Sequence, residues 1–165
     1  AGAILLQAND QGFGLQDSWM RVDGVGAEFL HMKGGGSKNP PTHETVDKKW
    51  HYLFQDGKPV FKAAVKGMAE AVNEILKRNN LSPDDIRFVV PHQANLRIIQ
   101  AVADCLRFPM DRVMVNIQKY GNTTSATIPL CLWEWEDQLK PGDKVILTSF
   151  GGGYTWGASL WTWAY

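Results

Sequence analysis

Two short segments of the sequence carry uncharged side chains that could stabilise a developing negative charge. His92 follows an apolar, strand-like run in the segment 91–95, and Asn122 stands before a helix-like run in the segment 120–124. A third segment, FGGG at 150–153, offers a backbone bare enough for a ligand to approach closely. Uncharged donors and a bare backbone suit an oxyanion that forms during a reaction. The combination indicates an enzyme that stabilises such a charge.

Each of these signals alone also has an ordinary structural explanation. A histidine just past a strand can cap the next helix or satisfy a hydrogen bond in the core. A Gly-Asn pair before a helix is a common turn and N-cap arrangement, and a glycine run can be a bulge between antiparallel strands. The order of the three favours a site, because ligands of α/β sheets bind beyond the carboxyl ends of the strands.

The elements that must position these residues alternate between strand and helix. The hydrophobic patterns predict strands at 3–8, 19–22, 86–90, 113–115, 144–149 and 154–163, and helices at 61–78, 94–106 and 124–139. Between Gly24 and about residue 50 the chain is rich in Gly, Pro, Lys and His, which predicts a long surface excursion. The alternation indicates one α/β domain over residues 1–165, with a parallel or mixed sheet layered with helices.

Composition excludes several classes of function. The 165 residues include 17 basic and 17 acidic ones, so the basic footprint of a nucleic-acid binder is absent. No apolar run approaches the roughly 20 residues that span a bilayer. Cys105 and Cys131 make a poor disulfide framework and favour the cytoplasm, and neither stands at a helix N-terminus that would activate a thiol. Three further histidines lack metal-ligand spacing: His31, His43 and His51.

The beginning of the sequence reads as the middle of a strand. Ala1-Gly2-Ala3 has no initiator methionine before it and no signal-peptide pattern after it. We therefore expect the chain to be a piece of a larger protein.

Four stretches resemble the β-ketoacyl-[acyl-carrier-protein] synthase III family, the initiating condensing enzymes of type II fatty-acid synthesis. They are VPHQANLRII at 90–99, YGNTTSATIP at 120–129, KPGDKVILTSFGGGYTWGAS at 140–159 and GKPVFKAAV at 57–65. The agreement runs from about Gly57 to the C-terminus. It implies the C-terminal half of a thiolase-like enzyme, with layered α/β/α architecture and a mixed, mostly parallel sheet. The N-terminal half, which carries the nucleophilic cysteine in the family, is absent from this sequence.

The resemblance also implies a reaction and the residues that perform it. In the family, the cysteine takes an acyl group from acyl-coenzyme A, and a histidine and an asparagine bind the thioester carbonyl of malonyl-acyl carrier protein. Loss of carbon dioxide then leaves an enolate, which attacks the acyl-enzyme. By motif the two donors are His92 and Asn122, and the backbone N–H of Gly152 matches a second oxyanion donor. The family needs no metal or other cofactor, since both thioesters are substrates.

Further residues match the family's binding surfaces. The carrier-protein contact segment corresponds to Gln93, Ala94, Asn95, Leu96 and Arg97. The pantetheine tunnel corresponds to Gly57, Phe61, Ala94, Asn95, Ile98 and Phe150. Family members often carry a basic pair where this chain has Asp104-Cys105, so the docking surface is less positive here. The expected partners are the N-terminal half, the acyl carrier protein, acyl-coenzyme A and, at full length, a second copy in a cytoplasmic homodimer.

Two other functions are compatible with the same sequence. The chain could be a non-catalytic thiolase-fold subunit that binds coenzyme A or a carrier protein beside a partner chain. It could also belong to a related Cys-His-Asn condensing enzyme of secondary metabolism, with a different acyl acceptor. The intact His92, Asn122 and glycine triplet favour an enzyme half, because a scaffold needs none of them. Alone, the chain is expected to be inactive, since it lacks a residue to hold the acyl group.

Overall fold

The computed structural model describes residues 1 to 165, which form six strands and five α-helices. The strands are β1 (Gly14–Val22), β2 (Leu30–Met32), β3 (Leu53–Gln55), β4 (Phe88–Pro91), β5 (Lys144–Gly151) and β6 (Thr155–Thr162). The helices are α1 (His43–Asp47), α2 (Gly57–Arg78), α3 (Leu96–Leu106), α4 (Ile117–Tyr120) and α5 (Thr127–Trp135). None of the helices combines the length and the apolar character needed to cross a membrane.

The main sheet has four strands in the order β1-β6-β5-β4. Strands β4 and β5 are parallel, whereas β6 is antiparallel to both of its neighbours, β5 and β1. The predicted mixed sheet is therefore present, but its parallel part, predicted to be the larger one, is limited to β4, β5 and a single bridge from Val113 to Val89. The reason is the short turn at 152–154, which forces β5 and β6 into an antiparallel hairpin.

Helices cover both faces of this sheet, as predicted. Helices α2 and α3 pack against each other on one face, where the larger apolar core lies. That core includes Val72, Ile75, Ile99, Val102 and Ile146. Helix α5 lies on the other face and encloses the smaller core, which is formed by Phe88, Val90, Met114, Cys131, Leu139 and Val145. The result is the layered α/β/α arrangement.

Helix α2 agrees closely with its predicted apolar stripe. Its N-cap is Asp56, whose carboxylate accepts a hydrogen bond from the backbone N–H of Lys58. Lys77 and Arg78 occupy the last turn, where the negative end of the helix dipole favours cations. The predicted helix at 124–139 is more divided, because 3₁₀ turns flank α5 at Thr124–Ala126 and Glu136–Gln138.

The predicted strand at 3–8 is wrong. These residues pair with no strand, and Leu5 is 95 % exposed. An apolar run becomes a strand only when a neighbouring strand supplies hydrogen-bond partners. Here the run instead forms one wall of a cleft of about 550 Å³, with Trp161 and Trp163 among the residues opposite.

The predicted strand at 113–115 is reduced to one residue. Val113 forms a bridge to Val89, and the N–H of Met114 donates to the Val89 carbonyl at 3.0 Å. The chain then leaves the sheet and turns into α4, because the backbone N–H groups of Asn116 and Ile117 donate to the side chain of Gln93 and not to a strand.

The predicted excursion at 24–50 folds into short elements. A 3₁₀ turn spans Gly24–Glu28, β2 pairs with β3 in a separate two-stranded sheet, and α1 follows a capping box at Thr42. Trp50 lies close to the ammonium groups of Lys33 and Lys48, at 4.0 and 5.3 Å from the ring centroid. Aromatic and cationic side chains therefore anchor an excursion that has little regular structure.

Candidate active site

His92 lies immediately after β4, where its backbone and its ring are both fixed. The backbone N–H donates to the Thr148 carbonyl at 2.8 Å, which keeps His92 in line with β5. The ring Nδ1 lies 2.7 Å from Oγ1 of Thr127, the first residue of α5. Burial lowers the pKa of His92 below its ordinary value, because the imidazolium would lose hydration. The ring is therefore neutral at neutral pH.

Asn122 lies in the turn between α4 and α5. Its Oδ1 accepts a hydrogen bond from the backbone N–H of Thr124 at 2.9 Å. This local bond fixes which end of the amide is the acceptor and leaves the Nδ2 group without a partner inside the chain. Asn122 therefore has a free amide donor.

Thr127 connects the two donors and was not predicted. Thr127 is only 1 % exposed. Its Oγ1 lies 2.9 Å from the Thr124 carbonyl oxygen and 2.7 Å from Nδ1 of His92. A hydroxyl has one proton, so the acceptor that receives it determines the tautomer of His92. When Thr127 donates to the Thr124 carbonyl, its Oγ1 accepts from Nδ1–H of His92 and Nε2 is an acceptor. When the hydroxyl instead turns to donate to Nδ1, the histidine proton is on Nε2, which has no partner inside the chain.

The three predicted segments follow parts of the chain that run in parallel. Strands β4 and β5 and the segment that follows Val113 run in parallel, so their carboxyl ends lie together. His92 follows the first strand, Gly152 follows the second, and Asn122 follows the third segment after α4. A Cβ on Gly152 would lie 3.3 Å from the Leu30 carbonyl oxygen, so the close approach of β2 favours glycine.

The prediction that Gln93 contacts a carrier protein is wrong. Its side chain is completely buried, and its amide is bonded to backbone groups of the chain. The neighbouring sequence gave no sign of this, because three of the four partners lie in Met114, Asn116 and Ile117, more than 20 positions away. The other members of the predicted segment keep some exposure at the start of α3, namely Ala94, Asn95, Leu96 and Arg97.

The predicted tunnel residues come from two helices and a strand. Gly57 and Phe61 lie in the first turns of α2, Ala94, Asn95 and Ile98 lie at the start of α3, and Phe150 lies on β5. The guanidinium carbon of Arg97 is 5.8 Å from the Phe61 ring centroid, so the two helix starts meet. Phe150 is buried in the core, 4.9 Å from the Tyr154 ring. Their function as a tunnel stays a prediction.

Neither cysteine is placed to act as a nucleophile. Cys131 is buried in the middle of α5, where burial raises the pKa of its thiol to about 12. Cys105 is exposed, but it lies near the end of α3 and not at a helix N-terminus. The structure also contains no group of three or more His, Cys, Asp or Glu side chains that could hold a metal ion.

A second unpredicted network holds the turn that carries Asn122. Glu134 on α5 accepts hydrogen bonds from Lys119 at 2.6 Å and from Tyr120 at 3.1 Å. Desolvation acts to raise the pKa of Glu134, but the hydrogen bonds from Lys119 and Tyr120, with the Asn116 amide nearby, outweigh it and hold the pKa below its usual value. The carboxylate therefore ties α4 to α5. No local pattern reveals this contact, because its members are far apart in sequence.

Comparison with known proteins agrees with this geometry. Residues 76–163 match the family model described as 3-oxoacyl-[acyl-carrier-protein (ACP)] synthase III C terminal. The chain belongs to this family. It is 57 % identical over 165 residues to the β-ketoacyl-[acyl-carrier-protein] synthase III of Porphyromonas gingivalis, and 53 % identical over 165 residues to that of Phocaeicola vulgatus. The match covers 100 % of this chain and 49 % of each relative, so the chain spans about half their length.

A solved structure gives the same result for the thiolase-like fold. The 3-oxoacyl-[acyl-carrier-protein] synthase III of Aquifex aeolicus superimposes with a TM-score of 0.82 at 36 % sequence identity. The alignment covers 95 % of this chain and 47 % of the solved one. The fold predicted for this chain is therefore confirmed.

Proposed function

We propose that this chain is the C-terminal half of a condensing enzyme that initiates fatty-acid synthesis. In this proposal it supplies the donors that decarboxylate malonyl-acyl carrier protein and join the product to an acyl group from acyl-coenzyme A. The single observation that carries the proposal is that His92 and Asn122 each keep one side-chain nitrogen without a partner, and Nε2 of His92 is a donor when the Thr127 hydroxyl donates to Nδ1. Nε2 of His92 and Nδ2 of Asn122 have no partner within the chain, while their other atoms are fixed by residues 124 and 127.

Two such donors suit the decarboxylation step. When the bond to the malonyl carboxylate breaks, its electron pair moves into the thioester and the negative charge accumulates on the carbonyl oxygen. Donors aimed at that oxygen bind the enolate more strongly than the ground-state carbonyl, so they accelerate the step itself. The α-carbon then attacks the acyl thioester on the enzyme, and the cysteine thiolate leaves. The backbone N–H of Gly152 would serve the oxyanion of that acyl transfer.

The acyl carrier protein would meet the start of α3. Arg97 is exposed there, beside Phe61, and its guanidinium suits the phosphate and carboxylates of an acidic carrier. The pantetheine arm would pass between the first turns of α2 and α3, along Gly57, Asn95 and Ile98. This route follows from the match of these residues to the family motif.

The isolated chain would not perform the reaction. Cys131 is inert by burial, and the acyl group would need a cysteine from the N-terminal half. Large apolar side chains on the α5 side of the sheet support such a partner, since Met20 is 69 % and Trp133 65 % exposed. We further propose that the complete enzyme is a cytoplasmic homodimer.

The decisive experiment measures two steps in the full-length protein that contains this chain. His92→Ala and Asn122→Ala should each reduce carbon dioxide release from malonyl-carrier thioester by about 10²–10³-fold, the usual effect of one lost oxyanion donor. Acyl transfer from acyl-coenzyme A to the enzyme should persist in both variants. A wild-type protein that binds the thioesters but releases no carbon dioxide would favour a non-catalytic subunit instead.

A second experiment tests the carrier surface. Arg97→Glu should raise the KM for malonyl-acyl carrier protein, because it places a negative charge where an acidic partner docks. The kcat with a small malonyl thioester should stay unchanged. Lys77→Glu makes the same charge change at the exposed end of α2 and is the matched control. Equal KM values for the two variants would contradict the proposed docking site.

A further inference from the structure

The buried side chain of Gln93 makes every hydrogen bond that its amide can make. Nε2 donates to the carbonyl oxygens of Pro91 at 2.7 Å and Met114 at 3.1 Å. Oε1 accepts from the backbone N–H groups of Asn116 at 3.0 Å and Ile117 at 3.2 Å. An amide has two hydrogens to donate and two lone pairs, so this one is fully satisfied. Such a saturated amide at a completely buried position holds its partners rigidly.

These four bonds join the two chain segments that lead to the proposed donors. Pro91 ends β4 and directly precedes His92, whereas Ile117 begins α4, which ends just before the turn of Asn122. Sheet pairing between the segments stops at the bridge from Val113 to Val89. Beyond that bridge, the hydrogen bonds of the Gln93 amide connect the two segments in place of strand pairing.

We propose that Gln93 is a positioning residue that fixes the separation and orientation of the His92 and Asn122 side chains. This inference rests on the function proposed above. Gln93 touches neither reacting atoms nor carrier protein, and it acts by holding Pro91 and Ile117 at a set distance. Two donors that bind one oxygen tolerate little error, and a displacement of about 1 Å can cost about 10²-fold in rate.

The first test uses two substitutions in the full-length enzyme. Gln93→Met keeps the approximate volume and removes all four hydrogen bonds, and it should lower kcat for carbon dioxide release about 10²-fold with little change in KM. Acyl transfer to the enzyme, which does not use the His92 and Asn122 pair, should stay within about twofold. Ile75→Val, a completely buried change in α2, controls for a loss of core packing.

Gln93→Glu supplies a readout that a purely structural role would not change. A carboxylate here would face the carbonyl oxygens of Pro91 and Met114, so burial and repulsion would raise its pKa. The protonated acid can donate one hydrogen bond and still accept from both N–H groups. The ratio of variant to wild-type kcat should therefore rise as pH falls. This variant also decides the matter if Gln93→Met does not fold.

A double-mutant cycle shows whether Gln93 acts through the donors. In an Asn122→Ala background, Gln93→Met should cost less than about threefold, since the geometry of the pair no longer matters. A full additional loss in that background would overturn the positioning role. So would a folded Gln93→Met enzyme with wild-type kcat in which His92→Ala still abolishes carbon dioxide release. If His92→Ala and Asn122→Ala are both fully active, the proposed function fails first, and this role fails with it.

Discussion

Replacing Thr127 by valine should separate the chemical role of its hydroxyl from its role in packing. Valine keeps the shape but removes the contacts of 2.7 Å with His92 Nδ1 and 2.9 Å with the Thr124 carbonyl. With its proton donated to Nδ1 the hydroxyl makes one of these hydrogen bonds, which contributes about 0.5–1.5 kcal/mol, so the free energy of unfolding should fall by about that amount. The kcat for carbon dioxide release should fall about 10- to 100-fold, below the 10²–10³-fold ceiling for losing a donor completely.

Thr127→Ser is the matched control, because it keeps the hydroxyl and removes one methyl group. It should lower the free energy of unfolding by about 1 kcal/mol and leave kcat within about threefold of wild type. The assay is carbon dioxide release at saturating malonyl-carrier thioester, with nitrogen-15 shifts of labelled histidine reporting the His92 tautomer. Wild type should have its proton on Nε2. A valine variant with unchanged kcat, or a serine variant as slow as valine, would refute the reasoning.

Two further predictions concern packing and thiol chemistry. Gly26→Ala places a methyl group into the ring of Tyr154, so a thermal melt should show the free energy of unfolding lowered by about 1–3 kcal/mol. Gly24→Ala is the control, because its methyl group meets no atom within 4 Å and should leave the free energy of unfolding unchanged. In the native protein at pH 8, a maleimide should modify the exposed Cys105 and spare the buried Cys131, because burial raises the pKa of the Cys131 thiol to about 12. Mass spectrometry that finds both cysteines labelled equally would contradict the burial of Cys131.

The fold was predictable where one local pattern decides the element. The apolar stripe from Phe61 to Leu76 specifies α2, because side chains three and four positions apart share a helix face. The run at 3–8 was misassigned because a strand depends on a partner that no local pattern reveals. The predicted strand at 113–115 was wrong for a similar reason. The side chain of Gln93, distant in sequence, accepts hydrogen bonds from the backbone N–H groups that would have continued the strand pairing.

The candidate site was predictable only in its donors. His92 and Asn122 stand in recognisable strand-end and turn motifs, so motif and position identify them together. Thr127 and Glu134 support them from α5, and their contacts cross sequence separations of 35 and 14 or more residues. Gln93 was placed on the surface because it follows His92 in a binding motif, yet its side chain is completely buried. Which way a polar side chain turns depends on tertiary packing.

The central position of β6 has a consequence for the order in which the molecule can form. Strand β1 pairs only with β6, and residues 23–154 separate the two in sequence. During synthesis, β1 must therefore wait without a partner until β6, which begins at Thr155, has been made. Contacts of such long range fold slowly, and an unpaired strand is open to wrong pairing in the interval. This chain therefore completes its sheet only after β6 emerges from the ribosome, and its exposure to chaperones and aggregation is greatest before that point.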